Sequence, residues 1–190
     1  MVTLNKIYTR SGDNGTTALG NGERRSKFDL RVAAYGSIDE TNAVIGCARA
    51  SGHHGRLDPM LARIQNDLFD LGADLATPDS PDLSYEPLRI VPAQVDRLER
   101  EIDELNADLE PLKSFVLPGG SAVSAQLHLA RTVSRRAERL MVELATKEPV
   151  GDAALRYANR LSDFLFVASR IANNSGKNDV LWVPGQSRSA

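Results

Sequence analysis

GDAALRYANRLSDFLFVASRIANNSG, residues 151–176, is the stretch that decides the fold. Leu155, Ala158, Leu161, Phe164, Leu165, Ala168 and Ile171 recur at three- and four-residue steps, the repeat that brings side chains onto one side of an α-helix. Their arc is wide rather than a narrow stripe, so this helix is predicted to be the most buried of the chain. The run Asn-Asn-Ser-Gly at 173–176 contains residues that tolerate the left-handed backbone on which helices end.

Upstream, Ser121 is placed to cap a helix whose buried stripe is Val123, Leu127, Ala130, Ala137, Leu140 and Leu144, and which stops by Pro149. SFVLPGGS breaks the chain before it. Pro92 opens another helix, with Val95, Leu98, Ile102, Leu105 and Leu109 repeating as in a bundle seam, predicted to end near Pro111. From about Arg56, Leu57, Met60, Leu61, Ile64, Leu68, Leu71 and Leu75 form one stripe that runs into the prolines of TPDSP. Ala34, Ile38, Thr41, Ile45 and Ala48 mark the first helix within residues 27–50. Five amphipathic helices without a convincing alternating strand predict an all-α fold, a five-helix bundle.

The 190 residues suffice for one core, and a single domain spanning 1–190 is expected. With 42% hydrophobic and 25% charged residues and a net charge of -2, the composition lacks the basic excess of a nucleic-acid binder. Cys47 is the only cysteine, which excludes an internal disulfide framework and a multi-cysteine zinc site and fits a reducing compartment, with the cytoplasm as default. MVTLNKIYTRSG holds no apolar signal core, and no apolar run approaches the roughly 20 residues that span a bilayer, so no membrane is expected.

Chemistry-bearing residues gather in two places. TRSGDNGTTALG, residues 9–20, is glycine-rich but fails the P-loop pattern, because Thr16 and Thr17 follow Gly15 with no lysine between. Gly12 and Gly15 let backbone N–H groups approach an anion, Thr16 and Thr17 add hydroxyls, and Asp13 could hold a cation or brace the turn. The competing reading is a flexible terminal turn. ARTVSRRAERL, residues 130–140, stacks Arg131 on Arg135 at i and i+4, with Glu138 three residues further, beside the small residues Ala130, Ser134 and Ala137. Guanidinium groups this near a core stripe need anions, and Glu138 can neutralise one; on an exposed face they would simply be solvated. Helix one presents Tyr35, Asp39, Asn42 and Gly46 on one stripe, and Gly36 with Gly46 allows close helix approach. Asn159, flanked by Arg156 and Asp163, is either a ligand group or part of a structural hydrogen-bond network.

Other constellations fail. A di-iron bundle needs Glu-x-x-His, yet Ala50, Ser51 and Ala125 stand three residues before His53, His54 and His128. His53 and His54 fit a solvated glycine-flanked turn, His128 fits a satisfied helix histidine, and no base is assembled around Cys47 by spacing.

Three stretches together resemble the PduO-type ATP:cob(I)alamin adenosyltransferases: YTRSGDNGTTALG continuing into RRSKFDLRVAAYGSIDE; FVLPGGS with LHLARTVSRRAERL; and YANRLSDFLFVASR with DVLW. They follow the family's order over almost the whole chain. The resemblance implies a five-helix bundle assembled as a homotrimer, with ATP and a corrinoid bound between subunits. Residues 1–26 would form the ATP-binding segment, 27–174 the bundle and 175–190 a tail. It further implies that Thr9, Arg10, Ser11, Gly12, Asp13, Gly15, Thr16 and Thr17 wrap the triphosphate and that Lys27 supplies the missing lysine. Arg131, Arg135, Glu138 and Asn159, with Arg136 as an addition, would come from the neighbouring subunit. Asp39 is similar to the acid that pairs with Arg131 across the interface, and Phe115 to the aromatic that keeps the lower axial position of cobalt empty. The clearest departures lie in 77–92 and after Trp182. By resemblance, cobalt(I) of cobalamin attacks the 5′ carbon of ATP and displaces triphosphate, so the protein need not supply a base. Lys27, Arg131, Arg135 and Mg²⁺ would stabilise the leaving group. A reductase and an adenosylcobalamin-dependent client enzyme are the implied partners. Two other classes remain open: a nucleotide-responsive cobalamin delivery or sensing module, and a structural bundle with a solvated arginine face.

Overall fold

Asp29 starts the first helix, accepting a hydrogen bond from the Arg31 N–H at 2.8 Å and so satisfying one of the donors that a helix start leaves open. The computed structural model describes residues 7–52, 55–81 and 83–188; His53 and His54 lie outside them. Five helices follow in order: α1 (Leu30–Ala50), α2 (Leu57–Ala76), α3 (Pro92–Asn106), α4 (Ala122–Ala145) and α5 (Asp152–Ile171). Each sequence stripe faces the common core. Ser121 caps α4 as expected, accepting from the Ser124 N–H at 3.1 Å. Asn174, Ser175 and Gly176 all adopt positive φ after α5, and the Gly176 N–H returns to the Arg170 carbonyl at 2.8 Å.

One expectation needs correction. α3 ends at Asn106, not near Pro111, because the Asp108 and Leu109 N–H groups turn back to carbonyls three residues earlier. Leu109 still packs on the core from outside the helix. The all-α bundle of five helices stands, and one small sheet accompanies it. Thr16–Ala18 (β1) and Arg24–Ser26 (β2) form an antiparallel hairpin in the register Thr16↔Ser26, and Val116 bridges Leu181. Strands of three residues are too short to display a two-residue alternation in sequence.

α1 packs against α2 on one side and α4 on the other; α4 leads to α5, α5 carries α3, and α2 touches α5. α1 and α4 run antiparallel, since Arg31 at the start of α1 meets Glu148 beyond the end of α4, while Gly52 beyond α1 lies against Val123. α5 buries the most residues, with Tyr157, Phe164 and Leu165 fully enclosed. Two buried polar clusters pin the layers. Arg31 donates to Glu148 Oε2 at 2.9 Å, Leu75 O at 2.7 Å and Pro149 O at 3.3 Å. Asp67 of α2 accepts from Tyr157 of α5 at 2.9 Å and from Gln94 and Arg97 of α3.

Candidate functional site

The glycine-rich segment forms the outer part of the hairpin and is braced by its own side chains. Gly15 sits at φ +79°, and the Lys27 N–H donates to its carbonyl at 2.9 Å. That bond folds the lysine back over the loop: a Cβ on Gly12 would lie 3.2 Å from Lys27 Nζ and 3.0 Å from the Thr16 carbonyl. Gly12 and Lys27 therefore come together within one chain. Arg10 takes φ 60°, the left-handed region uncommon for a side-chain-bearing residue, and its guanidinium lies 5.4 Å from the Tyr8 ring centroid. Thr9 and Ser11 share a hydrogen bond at 2.8 Å, while Asp13 and Thr17 lie alongside on the same turn and strand.

Thr16 differs from its sequence reading. Its hydroxyl donates to Asn14 Oδ1 at 2.8 Å and accepts from Arg24 Nε at 3.1 Å, so it braces the loop. Arg24, which also reaches the Ser11 carbonyl at 2.6 Å, escaped the sequence reading. Only the hairpin register, with Arg24 diagonal to Thr16 across the strands, would have pointed to it. Arg25, next in the chain, holds the hairpin on the bundle through Glu148, whose carboxyl is held below its usual range first by the Arg25 hydrogen bond and then by Arg31.

The second centre lies around α4. Arg131, Phe115, Phe166, Leu112, Ser114 and Val116 line a largely apolar cavity of about 550 Å³. Phe115 is 77% exposed and tilts against Trp182, with ring centroids 6.0 Å apart. The 179–182 segment lies antiparallel to 114–117: Trp182 N–H donates to Phe115 O and Leu117 N–H to Val180 O, both at 2.8 Å, and Ser114 Oγ donates to Trp182 O at 2.6 Å. Arg131 is half-buried at the cavity wall and its Nε is enclosed without a hydrogen-bond partner among the described residues. Burial, then the neighbouring Arg135 charge, push its guanidinium below the usual arginine value. A half-buried cation with an enclosed, unsatisfied donor can accept an anionic partner.

The remaining residues divide clearly. Arg135 is exposed on the same face. Arg136 instead pairs with Glu40 of α1. Glu138 does not neutralise an arginine of its own helix; its Oε1 accepts from Asn159 Nδ2 at 2.7 Å, and Asn159 Oδ1 accepts from Arg160 at 2.6 Å. Glu138 and Asn159 are thus brought together. Asp39 is exposed at a groove of about 360 Å³ with Tyr35, Gly36 and Phe69; Asn42 and Gly46 face Gln65 of α2. Within one chain the two centres stay apart. The hairpin docks beside Glu148, beyond the end of α4, and Arg131 lies about 20 Å earlier along that helix at 1.5 Å per residue. Among the described residues no three or more His, Cys, Asp or Glu side chains form a metal-sized group, and no helix is long and apolar enough to cross a membrane.

Comparison with known proteins shows the family to which the chain is similar. The sequence model of the cobalamin adenosyltransferase family matches residues 7–172. A corrinoid adenosyltransferase of Mycobacterium tuberculosis is 53% identical over 192 residues, covering 100% of this chain and 98% of that protein. The corrinoid adenosyltransferase of Bacillus subtilis is 45% identical, covering 92% and 91%. A variant PduO-type ATP:corrinoid adenosyltransferase from Lactobacillus reuteri, solved with cobalamin and ATP, matches with a TM-score of 0.86 at 38% identity over 93% of this chain and 99% of that one.

Proposed function

The chain belongs to the cobalamin adenosyltransferase family, and from that membership we propose which of its residues carry each part of the reaction. The activity is transfer of the 5′-deoxyadenosyl group of ATP to the cobalt of a corrinoid, with ATP and cobalamin as substrates and triphosphate released. The cobalt is the nucleophile, so what the protein must supply is alignment, charge for the leaving group and exclusion of water.

The hairpin takes the triphosphate. Thr9, Arg10, Ser11, Gly12, Asp13, Gly15 and Thr17 surround it with backbone and hydroxyl donors, Thr16 holds that cradle in shape, and Lys27 contributes charge from across Gly12. Mg²⁺ would come with the nucleotide and supply charge neutralisation for the triphosphate, with Asp13 as the carboxylate of the cradle able to hold it. Arg131 and Arg135 of a neighbouring subunit meet the growing negative charge, with Glu138 and Asn159 as a pair beside them. Arg136 contributes by holding α4 to α1 through Glu40. Asp39 pairs with the neighbour's Arg131. Phe115, braced by Trp182, lies against the corrin ring and keeps the lower axial position of cobalt empty. The assembly is a homotrimer of single-domain chains acting in the cytoplasm, supplied with reduced corrinoid by a reductase and passing its product to an adenosylcobalamin-dependent enzyme.

The observation that carries this reading is Arg131: an enclosed guanidinium nitrogen, unpaired among the described residues, at the wall of an apolar cavity that Phe115 also lines. An anion and a large flat apolar ligand are the two things that such a place accepts. The direct test is incubation with MgATP and chemically reduced cobalamin, following the corrinoid spectrum. Adenosylcobalamin should form over many turnovers. ATP binding without product would instead leave a delivery or sensing module.

A further inference from the structure

The connection between α2 and α3, residues 77–91, is long for a helix-to-helix link, yet it is tied down at both ends. Asp74, buried in the last turn of α2, accepts from the Ile90 N–H at 2.9 Å and from Arg89 Nη1 at 3.1 Å. Arg89 Nη1 also donates to the Asp74 carbonyl at 2.9 Å, and Nη2 to Asp79 at 2.7 Å. The loop's return thus closes on its own starting point. Its middle reaches away: the Tyr85 hydroxyl donates to the Gly20 carbonyl at 2.9 Å.

Gly20 is the residue that follows the first strand and the buried Leu19. Its N–H donates to the Ala76 carbonyl at 2.7 Å, and there is no room for a side chain on it, since a Cβ would fall 2.2 Å from Thr77 Oγ1. One glycine is therefore gripped from below by the end of α2 and from outside by Tyr85. A hairpin with two three-residue strands has little stability of its own, so its position is set by its attachments. β2 has Arg25 on Glu148; the β1 side has Gly20.

We propose that residues 77–91 are a strap that positions the ATP hairpin, with Tyr85 as a positioning residue for the nucleotide and not for the corrinoid. The proposal rests on the reading that residues 9–27 hold ATP. Among the described residues Tyr85 is not part of the lining of the cavity around Phe115, and its hydrogen bond acts on where Gly20, and with it the cradle from Gly12 to Thr17, comes to rest. The loss of one neutral hydrogen bond is felt as weaker nucleotide capture.

The test is a comparison of Tyr85→Phe with the unaltered protein in steady-state kinetics and in direct MgATP binding. The expected result is a rise of about three- to tenfold in KM and Kd for ATP, with KM for cobalamin, kcat and Tm unchanged. Unchanged ATP parameters, or a parallel rise in both KM values with a fall in Tm, would overturn it. Gly12→Ala separates the two assignments. If Gly12→Ala leaves ATP binding intact, the hairpin reading itself fails; if Gly12→Ala abolishes ATP binding and Tyr85→Phe does nothing, the strap alone is wrong.

Discussion

His128 is 2% exposed on α4, shares a 3.2 Å hydrogen bond between Nε2 and Ser169 Oγ, and meets the Phe166 ring edge-on, while its Nδ1 has no partner among the described residues. The sequence reading of a satisfied helix histidine is thus half met. Burial first, and the charge of Arg131 one turn away second, push its pKa below 6.5; Asp179 pulls weakly the other way. The sign follows from which state binds the proton. As pH falls below about 6.5 the unfolded chain takes up a proton that the folded chain refuses, so stability is lost until the folded imidazole also protonates. Between pH 7.5 and 5.5 the unaltered protein should lose more stability than His128→Gln in urea unfolding; superimposable profiles would remove the effect. Arg135 is the opposite case, exposed and without a buried environment to maintain. Arg135→Ala should therefore lower kcat/KM for ATP by about a hundredfold while moving stability by no more than about 0.5 kcal/mol. Parallel losses of activity and Tm would favour a structural arginine face.

Among the elements, the five helices were readable because each repeats its apolar residues over at least four turns, long enough for the period to stand out against local propensity. The hairpin was not, since its strands are too short to show alternation and its form depends on Asn14, Arg24 and Arg25 finding partners. The candidate site was legible in its residue types and less so in its supports: Gly12 and Lys27, and Glu138 and Asn159, do meet, whereas Thr16 and Arg136 are engaged by Asn14 and Glu40. Least visible was what holds Phe115. The 179–182 segment stays beside it because Asp179, almost fully buried, accepts from Arg170 Nε at 2.8 Å and from Asn173 Nδ2 at 3.0 Å, while Asn173 Oδ1 accepts from the Ser121 N–H at 3.2 Å. Nothing in local pattern announces a pair that works only once α5 and the tail have folded together. Removing one partner leaves a buried charge unpaired, so Asp179→Ala should cost about 3–5 kcal/mol. Trp182 is the only tryptophan, and its emission should shift to longer wavelength in that variant as it leaves Phe115; an unshifted spectrum would show that the tail is held by other means.

At the scale of the whole molecule, the two centres face a problem that no single chain solves. The hairpin is fixed near Glu148 and Arg131 lies about 20 Å away along α4, yet the proposed assignment has one ATP served by both. Bringing copies together meets that demand: the exposed Asp39 groove of one subunit is available to the arginine face of another, and a cyclic arrangement repeats the contact until it closes. Light scattering should then give three times 20.7 kDa. Mass alone does not say whether the site is shared, but complementation does. Lys27→Ala damages the hairpin and leaves the arginines; Arg131→Ala does the reverse. Each alone should be nearly inactive. Unfolded, mixed in equal amounts and refolded together, they should regain about one quarter of the unaltered activity, because that share of interfaces pairs an intact hairpin with an intact arginine from the next subunit. If hairpin and arginine served the same ATP within one chain, every site would carry one defect and mixing would restore nothing.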